Sequence, residues 1–173
     1  MDIELNLTTE SVEQASPAEP VCVEPHYTVR QVFEHLKENR AGNILVCRDG
    51  VLIGIFTERD ALRIMARAVE PGLQEQGLQG EPGYDPAAVW DAPIETAMTR
   101  DPVTLGPQSP VAAAVQKMAS GGYRRLPIVD SQGRPVGVVQ AAGIVHYLVE
   151  HFPKTVYNQP PVPHPVMQER EGS

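Results

Sequence analysis

The chain has 173 residues, a net charge of −8 and 42% apolar residues, enough for one globular domain or two small units sharing a core. The acidic balance argues against nucleic-acid backbone binding, which needs dense Lys and Arg, but leaves room for a local basic pocket that takes a small anion. No run approaches the ~20 apolar residues of a membrane span, and the acidic opening MDIELNLTTESVEQ predicts no secretory signal and a cytoplasmic chain.

Aromatics make up only 5%, so the core has to be aliphatic. After an N-terminal extension (1–16), the first unit (17–69) opens on a short apolar strand, PVCV (20–23). Val29, Val32, Phe33 and Leu36 then recur at the spacing of one helix face. NILVCRDGVLIGIF (43–56) predicts two strands, 44–47 and 51–56, apolar enough to be buried on both faces and joined by a turn with Gly50 at positive φ. GIFTERD (54–60) ends the second strand and leads into a helix over 58–68. The insert 70–93, rich in Gly, Pro and Gln, predicts a long loop whose Trp90 packs back on the core.

IETAMT (94–99) predicts a short helical turn, and the second unit (94–151) then repeats the first. PVTL (102–105) stands for PVCV, and Val111, Ala114, Val115 and Met118 form the matching helix face. LPIVDSQGRPVGVV (126–139) supplies strands 126–129 and 135–139, with Gly133 and Gly137 in the places of Gly50 and Gly54, before a last helix over 141–151. The Pro-rich tail 152–173 is expected to be extended over the surface or disordered. Cys22 and Cys47 lie in apolar runs and read as buried thiols. Three short strands with two helices on one side leave the other sheet face bare. The expected fold is therefore α/β, two β-α-β-β-α repeats packed sheet to sheet with pseudo-twofold symmetry.

Spacing alone makes Thr57-x-x-Asp60 a helix cap, with Thr57 accepting from an amide at the helix start and Asp60 placed where negative charge suits the dipole. Arg124 and Arg125 alone read as a solvated pair beside Tyr123. His26, His35, His146, His151 and His164 are scattered and neither Cys lies in a CxxC, so no metal site and no catalysis are expected.

Together, MTRDPVT, RRLPIVD and GIFTERD within this repeat resemble a tandem pair of CBS domains, also called a Bateman module, over about residues 17–150. The resemblance implies a non-catalytic regulator that binds an adenosine-containing ligand (AMP, ADP, ATP or S-adenosylmethionine) between the copies. It also implies a homodimer formed through the helices and a protein partner that receives the signal. By the same resemblance, the Asp60 carboxylate takes the ribose hydroxyls and Thr57 helps hold ribose or phosphate. Ile55 and Phe56 close the pocket, partly through backbone groups, Val103 lines the adenine, and Arg124 and Arg125 reach the phosphates. The chemistry is compatible: a carboxylate accepts two hydrogen bonds from a vicinal diol, and an Arg fork grips phosphate. The mirror site departs from the pattern. Gln140 and Gly143 replace Thr and Asp, and Ala41 and Gly42 fall at the arginine positions, with Arg40 one residue away. One nucleotide per chain is expected. The competing reading is a structural or dimerisation scaffold with a vestigial site.

Overall fold

The computed structural model describes residues 7–40, 42–67, 83 and 85–151. The tail 152–173, most of the insert and Ala41 lie outside the described residues.

The first copy runs β1 (Cys22–Val23), α1 (Val29–Asn39), β2 (Asn43–Arg48), β3 (Val51–Thr57) and α2 (Glu58–Arg67). Thr28 caps α1 with a full capping box: its hydroxyl accepts from Gln31 N, and the Gln31 side chain accepts from Thr28 N. The predicted helix face turns inward, with Val29 and Val32 fully buried and Phe33 and Leu36 packed beside them. β1 lies parallel to β2, and β2 lies antiparallel to β3 with Asn43 opposite Thr57. Gly50, in the β2–β3 turn, has φ 79°, and its counterpart Gly133 has φ 76°, as the turns require. The insert is not all loop. Asp85 accepts from Ala87 N and Pro86 follows it, so a short helix forms, α3 (Pro86–Trp90). Trp90 meets Phe33 edge-on with ring centroids 4.7 Å apart, packed on the first core as expected.

The lead-in to the second copy holds a 3-10 turn at Ile94–Thr96, as read from the sequence, and a short strand, β4 (Thr99–Arg100). The copy continues with α4 (Val111–Gly121), β5 (Arg125–Val129), β6 (Pro135–Gln140) and α5 (Ala141–His151). The run 102–105 does not form the predicted strand. Only Leu105 pairs, as a single parallel bridge to Ile128, through Leu105 N to Pro127 O and Val129 N to Leu105 O at 2.9 Å each, which holds one residue and not a strand.

The sheets are completed by exchange, which the three-strand expectation did not include. The first sheet has the order β1-β2-β3-β4, and β4 belongs to the lead-in of the second copy; it pairs Thr99 with Ile55 and Arg100 with Gly54. Reciprocally, Ala18 in the lead-in of the first copy pairs antiparallel with Val138 on β6, with both N–H···O bonds at 2.9 Å. The short 3-10 turns follow the same rule. Val12–Ala15, within the N-terminal extension, closes the second core, and Ile94–Thr96 closes the first; Val12 and Ile94 are both 0% exposed. Between the sheets, Leu45, Cys47, Ile55 and Val138 form a third apolar cluster, the expected sheet-to-sheet contact. Cys22 corrects the reading of two buried thiols: it is exposed, while Cys47 is buried. A hydrogen bond between the two thiols pushes Cys47 well above the ordinary thiol range and draws Cys22 below it.

Because Ile94 fills the core of the copy that it does not belong to, Ile94→Ala is expected to cost about 2–5 kcal/mol in denaturant unfolding. Amide exchange should accelerate in β2 and β3 rather than in β5 and β6. The opposite exchange pattern would show that the cores are not shared in this way.

Candidate functional site

Thr57 ends β3, and the chain turns directly into α2, which places Asp60 in the first helical turn. The cap runs in the opposite sense to the simple reading. Thr57 N–H and Thr57 Oγ1 both donate to Asp60 Oδ2, at 2.9 and 3.0 Å. A carboxylate is a stronger acceptor than a hydroxyl, so Asp60 takes the part that Glu plays in a capping box and Thr57 becomes a donor. Asp60 Oδ1 accepts from Arg63 Nη1 and from Thr99 Oγ1, each at 3.2 Å. With four donors around it, the carboxylate is only 4% exposed.

Thr99 reaches Asp60 because β4 crosses from the other copy and sets Thr99 opposite Ile55. The same crossing carries Asp101, Pro102 and Val103 over the mouth of the first copy. Opposite them stand Gly122, Tyr123, Arg124 and Arg125, where α4 ends and β5 begins. These groups enclose a cavity of about 480 Å3 that is also lined by Ile55, Thr57, Glu58, Arg59, Asp60, Leu62, Arg63, Thr99 and Pro127. The volume is within the range of small-ligand sites. Ile55, Pro102, Val103 and Pro127 supply apolar wall. Arg59, Arg63, Arg124 and Arg125 outnumber Glu58, Asp60 and Asp101, so the cavity is locally positive in an acidic chain.

The site residues named from the sequence are thus brought together with one exception. Ile55, Thr57, Asp60, Val103, Arg124 and Arg125 share the cavity wall. Phe56 does not line it. Its side chain is fully buried in the first core against Phe33, because successive side chains on a strand point to opposite faces. Thr99, Asp101, Tyr123, Arg59 and Arg63 were not picked out. The signal for Thr99 was the MT of MTRDPVT, but its contact with Asp60 exists only through the strand exchange.

Arg125 is distinctive. Its guanidinium lies on Gly42, where even a single Cβ would overlap it, and Nη1 stands 3.6 Å from Glu58 Oε2. Gly42 and Arg125 are equivalent positions of the two copies, so their contact lies at the pseudo-twofold axis. Arg125 Nε is buried without a hydrogen-bond partner among the described residues. The rest of the guanidinium lines the cavity with only that long ion pair, which suits an anionic group that would replace it. Arg124 is exposed and makes no ion pair among the described residues. On the mirror side, Gly143 faces the backbone of Ala15 and presents no acceptor.

A family model described as CBS domain matches residues 12–67 and 94–150. The CBS domain-containing protein YhcV of Bacillus subtilis is 32% identical over 130 residues, covering 75% of this chain and 79% of YhcV. Among solved structures, CBSX2 in complex with AMP has the same fold, with a TM-score of 0.61 at 19% identity, covering 80% of this chain and 96% of CBSX2. The CBS domain pair of MJ0100, in complex with 5′-methylthioadenosine and S-adenosyl-L-methionine, gives a TM-score of 0.65 at 19% identity, covering 83% of this chain and 98% of that one.

Asp60→Ala leaves the Thr57 amide and the Thr99 hydroxyl without their acceptor. It is expected to lower stability by about 1–3 kcal/mol in chemical denaturation while far-UV circular dichroism stays native. A loss of the native spectrum would mean that Asp60 is chiefly a structural cap.

Proposed function

The chain belongs to the CBS-domain family, and on that premise we propose that it is a non-catalytic regulatory CBS pair that binds one adenosine-containing ligand in the cavity between its copies. The observation that carries this reading is the meeting of two half-sites: Thr57 and Asp60 from the first copy face Val103, Arg124 and Arg125 from the second across one cavity. Asp60 is the acceptor for the ribose diol, and the apolar wall at Ile55 and Val103 takes the base. The arginines that line the cavity take phosphate. Their positive charge favours AMP, ADP or ATP over the cationic S-adenosylmethionine. The two solved neighbours are complexes with AMP and with S-adenosyl-L-methionine and 5′-methylthioadenosine, which supports the adenosine class. The mirror side offers Gln140 and Gly143 in place of Thr and Asp, so the stoichiometry is one per chain.

A ligand that spans both copies favours one relative arrangement of them, and its differential affinity is what a partner protein would read. The terminal helices α2 and α5 expose Leu62, Met65, Val145 and Val149, an apolar surface that fits a homodimer through these helices.

Isothermal titration with AMP, ADP, ATP, NAD and S-adenosylmethionine should give binding at one site per chain, strongest for the adenine nucleotides and weakened by Arg125→Ala. No heat with any of them at millimolar concentration would favour the scaffold reading instead. In light scattering, the wild-type chain should have a dimer mass, and the double substitution Val145→Glu/Val149→Glu should give a monomer. A monomeric wild type would remove the dimer from the proposal.

A further inference from the structure

The Asp60 carboxylate cannot accept a ligand hydroxyl as it stands. It is 4% exposed, Oδ2 is held by two donors of Thr57, and Oδ1 is held by Arg63 and Thr99. Any diol that binds Asp60 therefore has to displace a donor. The Thr57 amide is part of the strand-to-helix turn, and the Thr57 and Thr99 hydroxyls sit on short side chains of residues whose backbones are paired in the sheet, with Asp60 as their acceptor. Arg63 is the partner free to leave. Its side chain is 64% exposed, it makes a single 3.2 Å bond to Asp60, and water can solvate it when it goes.

Leaving has a consequence that depends on the ligand. The released guanidinium remains at the cavity with Arg59, Arg124 and Arg125, and its former carboxylate has been taken by the diol. An uncharged nucleoside offers it nothing, whereas a 5′-phosphorylated nucleoside offers a strong anionic acceptor.

We propose that Arg63 is a specificity-determining latch, which occupies the Asp60 oxygen needed by a ribose diol and gives it up in exchange for a ligand phosphate. The site thereby discriminates nucleotides from nucleosides by a displacement, in addition to any direct phosphate contact of Arg124 and Arg125. The inference rests on the adenosine reading of the site and names the chemical class that the site prefers, a nucleoside 5′-phosphate.

The test is calorimetric binding of adenosine, AMP and ATP to the full chain and to Arg63→Ala and Arg63→Gln, with adenosine measured by displacement of AMP where its heat is small. Arg63 is solvent-facing, and thermal melts of both variants should stay cooperative, with midpoints lowered by no more than the few degrees that one exposed ion pair is worth. Loss of the latch should tighten adenosine by up to about fivefold, the scale of an exposed ion pair. AMP and ATP gain the same relief, but loss of the phosphate partner should cost them about tenfold or more, the scale of a charged hydrogen bond, so that they weaken overall. The AMP-to-adenosine preference should shrink by about tenfold or more in both variants, leaving the share that Arg124 and Arg125 supply. If adenosine and AMP change in parallel, or neither changes, the latch is refuted while the adenosine site stands. If wild type binds none of the three, the site reading fails and the latch with it.

Discussion

A small sheet with helices on one side has a bare second face, and in a chain this poor in aromatics only close packing of aliphatic side chains can cover it. Packing the two sheets together buries Leu45, Cys47, Ile55 and Val138. That contact alone would leave both helix-side cores open at one end. The two lead-in segments close them by crossing over, so that Val12 seals the core of the second copy and Ile94 that of the first. Neither copy has a complete core or a complete sheet by itself. The position of one copy relative to the other is therefore part of the folding free energy of each, and a ligand that touches both acts on a coupled body rather than on two tethered domains.

The same crossing builds the cavity. β4 brings Thr99 to Asp60 and leads Pro102 and Val103 across the mouth, while the end of α4 presents Arg124 and Arg125 from the opposite side. The symmetry that makes the fold is broken where the chemistry would be. At the axis, an arginine in one copy faces a glycine in the other, and the guanidinium occupies the space that a Gly42 side chain would take. One cleft gains a half-buried cation by this trade, and its mirror loses the position from which a basic residue could act. Gln140 and Gly143 complete the difference, since neither supplies a carboxylate beside the mirror cleft.

The elements made by local pattern were legible. The helix face Val29, Val32, Phe33 and Leu36 and the apolar strands on either side of Gly50 and Gly133 stand where periodicity and turn chemistry put them, because each depends on neighbours within a few residues. Of the miscast elements, one depends on a distant partner, and the other two carry local signals. The run 102–105 is apolar enough for a strand but has an edge on which only Leu105 pairs. The DPAAVW stretch carried a helix start, Asp followed by Pro, inside an insert whose composition suggested loop. Phe56 was grouped with Ile55 by adjacency, although strand alternation sends the two to opposite faces.

By itself the sequence determined that there are two copies, that they alternate strand and helix in the same order, and that only the first carries Thr and Asp where its last strand meets its last helix. Those properties are periodic or local, and a linear string records them. Tertiary structure alone decided that the lead-in of each copy completes the other, that Thr99 joins Thr57 on Asp60, and that Arg125 rests on Gly42. Each of these joins residues that the chain keeps apart or that spacing alone would leave pointing to solvent. The cost of an unfilled core and of an unpaired buried carboxylate selects them, and that cost exists only once the two sheets have met.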